Sequence, residues 1–208
     1  MNEQLRQQIP FEEFDYQTLQ DSLQRYAHPR KKISSLLRKG EIIRVKKGLY
    51  VFGERYRRGP YCRELLANLI YGPSCISLAY ALHYYGLIPE RVETVTSVTC
   101  GRSRSFDTPV GRFSYRMISL AAFGIGMDRI ELADGRAFLM AIPEKALADL
   151  VVAERGSAIA SRKDLQLFLY DNLRLDREGL RALDPEKLRM IASAYRSRRL
   201  RFLAELIA

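Results

Sequence analysis

Between Arg30 and Lys47 the chain reads RKKISSLLRKGEIIRVKK. Guanidinium and ammonium groups donate to phosphate oxygens, and Arg also reads the edges of bases. Serine hydroxyls can donate to phosphate too, and they are short enough to let a helix sit close. Arg30, Lys31, Ser34, Ser35, Arg38 and Lys39 therefore form one candidate set for contact with a nucleic-acid backbone. Arg44, Lys46 and Lys47 form a second set just beyond it. From His28 to Arg63 the chain carries twelve Lys or Arg against two Glu, so this sixth of the sequence holds the whole net charge of +10. Charge gathered so locally is the footprint expected of a protein that meets a polyanion. The alternative is a solvated patch that only keeps the chain soluble.

Two other basic groups are weaker candidates. Arg102 and Arg104, in GRSRSF, are candidates for phosphate or partner contact from a hairpin loop. The stretch YRSRRLR, Tyr195 to Arg201, presents a basic helix face.

Catalytic chemistry finds less. The histidines are His28 and His83, and neither stands in a metal or acid–base spacing. Cys62, Cys75 and Cys100 are odd in number and lack a C-x-x-C pair, which points to inert thiols rather than disulfides or zinc. GIGMDR, Gly124 to Arg129, lacks the third glycine and the lysine of a nucleotide loop and reads as a turn. Glu144 and Asp149 read as surface or cap residues of a helix. No catalytic residue, metal or cofactor is expected, and neither is an enzyme.

The elements that must carry the basic residues are legible locally. The chain has 208 residues, 47% hydrophobic and 28% charged, without an apolar run of membrane-spanning length or a secretory leader. A cytoplasmic protein without a membrane partner is expected. Residues 1–9 read as a short polar helix or a loose arm. Asp15 caps a helix carrying Tyr16, Leu19, Leu23 and Tyr26 on one face. Pro29 opens and Gly40 closes a second helix, whose apolar stripe is Ile33, Leu36 and Leu37 and whose opposite face is basic. Ile43 and Val45 alternate with Arg44 and Lys46, and Gly48 turns this strand into a hairpin.

This order of helix, basic helix and basic hairpin is that of a winged helix-turn-helix over residues 1–56. GERYRRGP then connects to a second unit, 57–208. There we expect helices over 61–71 and 77–85, and a strand over 92–100 with a hairpin partner at 111–118. A further hairpin turns at Asp134-Gly135, and a helix opens at Pro143. Asp184-Pro185 starts one long final helix in a helical tail. The fold class expected is α+β, with a winged helix-turn-helix followed by a mixed unit of antiparallel hairpins.

KKISSLLRKGEIIRVKKGLYVF resembles the N-terminal winged helix of the AbiEi family of type IV antitoxins. GPSCISLAYALHYYGLIPE, TVTSVTCGRSRSFDTPVGRFSYR and AIPEKALADLV resemble the antitoxin domain that comes next in that family. The likeness covers residues 15–152. It implies a transcriptional autorepressor of a toxin–antitoxin system of the abortive-infection kind, which binds inverted repeats upstream of its own operon. It implies a nucleotidyltransferase-like toxin as functional partner, countered without a stable complex. By this resemblance DNA contact falls on the Arg30–Lys39 helix and on Lys46 and Lys47. Two alternatives are an interaction module in which the winged helix only scaffolds, and an enzyme that reverses the toxin's modification.

Overall fold

The computed structural model describes residues 2–154 and 159–207 and shows a mixed α+β protein. Its first part is α1 (Asn2–Gln8), β1 (Glu13–Asp15), α2 (Tyr16–Asp21), α3 (Pro29–Arg38), β2 (Ile42–Lys46) and β3 (Leu49–Phe52). The strands form one antiparallel sheet in the order β1-β3-β2. Asp15 starts α2 by accepting the Thr18 N–H at 2.8 Å. α3 begins at Pro29, whose missing N–H costs nothing there, and ends before Gly40 at φ +65°. A helix of ten residues is marginal alone. Burying Ile33 and Leu36 beside Leu19 and Leu23 supplies about 1.5–3 kcal/mol for each side chain.

The N-terminal segment is an anchored helix rather than a loose arm. Leu5 and Ile9 of this segment are buried in the same core. The Arg6 guanidinium pairs with Glu12 and lies 4.5 Å from the Phe52 ring centroid.

Ile43 and Val45 share one face of β2, as their alternation predicts, but that face packs on a different core from the one beneath α3. Ile42, not Ile43, enters the first core, while Val45 enters a second and larger one. A bulge between Arg44 and Lys46 shifts the register against β3. β3 is buried on both sides: Tyr50 and Phe52 face the first core, and Leu49 and Val51 face the second.

The larger part begins with α4 (Arg63–Ile70), β4 (Ser74–Ile76), α5 (Leu78–Tyr84), β5 (Val95–Thr99), β6 (Arg104–Thr108) and β7 (Gly111–Met117). It continues with α6 (Leu120–Phe123), β8 (Met127–Glu131), β9 (Ala137–Ala141) and α7 (Pro143–Ala153). Its strands make one mixed sheet in the order β6-β7-β5-β4-β9-β8. The Asp134-Gly135 hairpin forms between β8 and β9, with Gly135 at φ +82°. The pairing expected between the 92–100 strand and 111–118 is corrected. β7 takes β6 as its hairpin partner, and β5 runs parallel to β7 on its other side. The second half of GRSRSF and the two residues after it, Arg104–Thr108, are thus an edge strand. Its largely exposed side chains hide it from apolar patterning.

The tail holds α8 (Arg162–Leu167), which runs into a π-helical turn at Phe168–Asn172, then α9 (Arg177–Arg181), α10 (Pro185–Tyr195) and α11 (Arg198–Ile207). The helical reading of 153–183 also covers 155–158, which lie outside the described residues. Asp184 caps α10 as expected, accepting Glu186 N–H at 2.8 Å. The single long final helix is corrected to two. Arg196 adopts φ +51° and breaks it, so that Leu188 and Ile191 of α10 and Leu200 and Leu203 of α11 share the larger core.

Candidate nucleic-acid interface

α3 presents the first candidate set as a unit. Ile33 and Leu36 face inward, so the intervening positions face solvent at 100° per residue. Arg30, Lys31, Ser34, Arg38 and Lys39 are exposed and Ser35 is half-buried. The Ser34 hydroxyl donates to the Arg30 carbonyl at 3.1 Å, so its resting contact is with its own helix. Among the described residues, Arg30, Lys31, Arg38, Lys39, Arg44 and Lys47 enter no ion pair. Elsewhere basic residues do take carboxylate partners, as Arg136 does with Glu13 and Arg174 with Glu90. Cations left without local carboxylates keep their full attraction for an incoming anion.

The second set divides. Arg44 and Lys47 are exposed on the hairpin. Lys46 instead donates to the Ile70 carbonyl at 2.6 Å and stands 5.8 Å from the Phe106 ring centroid. A cation at that carbonyl satisfies the open C-terminal end of α4. Lys46 therefore ties the hairpin to the larger part of the molecule. Arg102 and Arg104 lie apart from α3 in sequence, at the start of the β6 edge. Both are exposed, and Arg104 stands 5.5 Å from the Tyr71 ring centroid.

The polar groups that pattern reading placed on a surface lie inside. Glu144 and Asp149 of α7 are 5% and 2% exposed, and Lys145 beside them is fully buried. Lys145 Nζ reaches Asp149 Oδ1 and the Ala122 carbonyl, each at 3.0 Å. Ser77 donates to Asp149 Oδ2 at 2.6 Å, and the Tyr195 hydroxyl donates to Oδ1. Burial pushes the Asp149 carboxyl up against the pull of Lys145 and these donors. The Tyr195 hydroxyl is held well above its ordinary range by burial and by that carboxylate. With Ser77, Lys145 and Asp149 shut from solvent, the cluster joins the β4–α5 junction, α7 and α10. α7 is apolar nearly all round, so periodicity holds no sign of which polar residues it buries.

The cysteines are free thiols. Burial pushes Cys75 up to about 12 and Cys62 up to about 11, which keeps both protonated and unreactive at neutral pH. Cys62 instead caps α4, its sulfur accepting Leu65 N–H at 3.4 Å. His83 is half-buried on α5, and in GIGMDR only Gly124–Gly126 is the turn between α6 and β8, while Met127–Arg129 already belong to β8. Among the described residues, no group of three or more His, Cys, Asp or Glu is placed to hold a metal ion. No described helix is long and apolar enough to cross a membrane. No protein family matches this chain, and no curated protein matches it either.

Proposed function

We propose that the chain is a DNA-binding transcriptional autorepressor and the antitoxin of a type IV toxin–antitoxin system. In this reading residues 1–56 are a winged helix-turn-helix. α3 lies in the major groove, and the β2–β3 hairpin flanks it as the wing. Double-stranded DNA upstream of its own operon is the partner. The remainder, 57–208, counters a nucleotidyltransferase-like toxin in the cytoplasm without a stable complex. The antitoxin part rests on the resemblance of GPSCISLAYALHYYGLIPE and AIPEKALADLV to that family. The DNA part rests on one observation: α3 and its C-terminal end hold Arg30, Lys31, Arg38 and Lys39 exposed and outside any ion pair among the described residues, while Ile33 and Leu36 lock the opposite face into the core.

A gel-shift titration at two salt concentrations tests it, with the upstream duplex against an unrelated one. Preferential retardation of the upstream duplex, weakening steeply with salt, is the expected result. Lys31→Ala with Arg38→Ala is expected to weaken binding and flatten the salt dependence. Equal binding of both duplexes would remove sequence-specific repression. Absence of binding to either would remove the DNA reading altogether.

A further inference from the structure

We propose that the connector Gly53–Arg63 is a third DNA-contacting element, which holds the phosphate backbone beside α3 with Arg55, Arg57 and Arg58. The inference rests on the DNA-binding reading of α3 and extends it to a segment that sequence alone presents as a tether.

The connector is fixed along its length. Gly53 N–H donates to the Glu41 carbonyl at 2.9 Å, and a Cβ at Gly53 would collide with the Gly40 carbonyl. The connector thus starts against the turn that ends α3, one residue beyond Lys39. Tyr56 and Arg57 N–H groups fold back to the Gly53 carbonyl at 2.9 and 3.1 Å. The buried Glu12 carboxylate accepts Arg58 N–H at 3.0 Å and Gly59 N–H at 3.2 Å, and Glu13 accepts Cys62 N–H. These bonds occupy six of the connector's backbone donors, while the Arg55, Arg57 and Arg58 side chains are exposed.

Arg55, Arg57 and Arg58 are exposed and enter no ion pair among the described residues. Arg55 and Arg57 lie over tyrosine rings, 5.8 Å from the Tyr56 centroid and 5.4 Å from the Tyr61 centroid. Such stacking restrains a long side chain without using up its outward donors. Arg57, Arg58, Tyr61 and Arg63 line an open cleft of about 560 Å³, with Glu54 as its acidic member. Arg63 is already engaged with Glu93, donating to its carbonyl and standing 3.9 Å from its carboxylate, so it is not counted among the DNA-contacting arginines. A tethered charge run must be ordered when it binds, and that ordering opposes affinity. Here the ordering is already present. Phosphate contact from such a surface adds affinity without adding sequence preference.

The test uses the full chain, with fluorescence anisotropy on the upstream duplex and on an unrelated duplex across a salt series. Arg57→Gln with Arg58→Gln is expected to weaken binding to both duplexes by a similar factor. It is also expected to lower the salt slope by about 1 to 2, since each phosphate contact contributes about 0.9. Lys at both positions is expected to restore the slope, which separates charge from any loss of folding. If the Gln pair leaves affinity and slope unchanged while Lys31→Ala with Arg38→Ala weakens binding, the connector is a spacer and the α3 reading stands. If neither pair changes binding, or the wild-type chain does not bind, both fall together.

Discussion

Lys46 places its ammonium on the Ile70 carbonyl, while Lys47, one residue on, stands exposed without an ion pair among the described residues. In sequence the two look alike, because charge and spacing hold no record of the far end of α4. In the folded chain they do different work. Lys46→Met is expected to cost about 1–2 kcal/mol of stability, by removing a charged hydrogen bond, and to leave the salt slope of DNA binding nearly unchanged. Lys47→Met is expected to do the reverse, lowering the slope by about 1 with little effect on urea unfolding. Equal effects of the two would refute the division. Asp149 makes a second case. Its carboxylate faces Lys145, Ser77 and Tyr195 inside the protein. Asp149→Ala leaves a buried ammonium uncompensated and is expected to cost about 3–5 kcal/mol in chemical denaturation. Lys145→Met added to Asp149→Leu is expected to lose less than that single change, since no buried charge is then stranded. A double variant weaker than the single would argue that the cluster stabilises beyond its ion pair.

At the scale of elements, what was legible was what the chain specifies locally. Asp15, Pro29, Asp184 and the Asp134-Gly135 turn mark their elements where expected. The missed elements depend on partners far away in sequence. β4 has three residues, and it becomes a strand by lying between β5 and β9. β6 is an exposed edge, and the parallel pairing of β5 with β7 leaves no local trace. Arg196 breaks the final helix at a residue that nothing in composition marks. Gly53 belongs with these, since its reason is a close approach to Gly40 rather than a turn. The connector and the end of α3 meet there with no room for a side chain. Gly53→Ala is therefore expected to cost about 1–3 kcal/mol as an overpacked contact. It is also expected to weaken DNA binding at salt and temperature where the chain remains folded, because it displaces the connector from α3. A variant as stable as wild type would show that this contact yields without cost.

Over the whole molecule, the hairpin makes one folding unit of the two parts that composition separates at GERYRRGP. Val45, Leu49 and Val51 belong to the core of the larger part, while Ile42, Tyr50 and Phe52 belong to that of the smaller. Glu13, whose side chain is fully buried, pairs across the contact with Arg136, and Lys46 closes the end of α4. A winged helix on a loose tether would unfold independently of the larger part. Here the N-terminal part shares strand β3 with its neighbour, so a single cooperative calorimetric transition is expected for the full chain. Residues 57–208 alone would expose the apolar surface under β3 and leave Arg136 without Glu13. That fragment is expected to melt well below the full chain and to aggregate on heating. Two transitions in the full chain, the upper one matching the isolated fragment, would instead make the parts independent. The outcome decides how the proposed toxin neutralisation is to be assayed. If the fragment is unstable, its failure to rescue growth reports folding rather than activity. Separation of the two proposed functions then belongs to the full-length chain. Under the proposed function, Lys31→Ala with Arg38→Ala is expected to weaken operator binding there, and rescue that persists undiminished would place neutralisation outside the DNA interface.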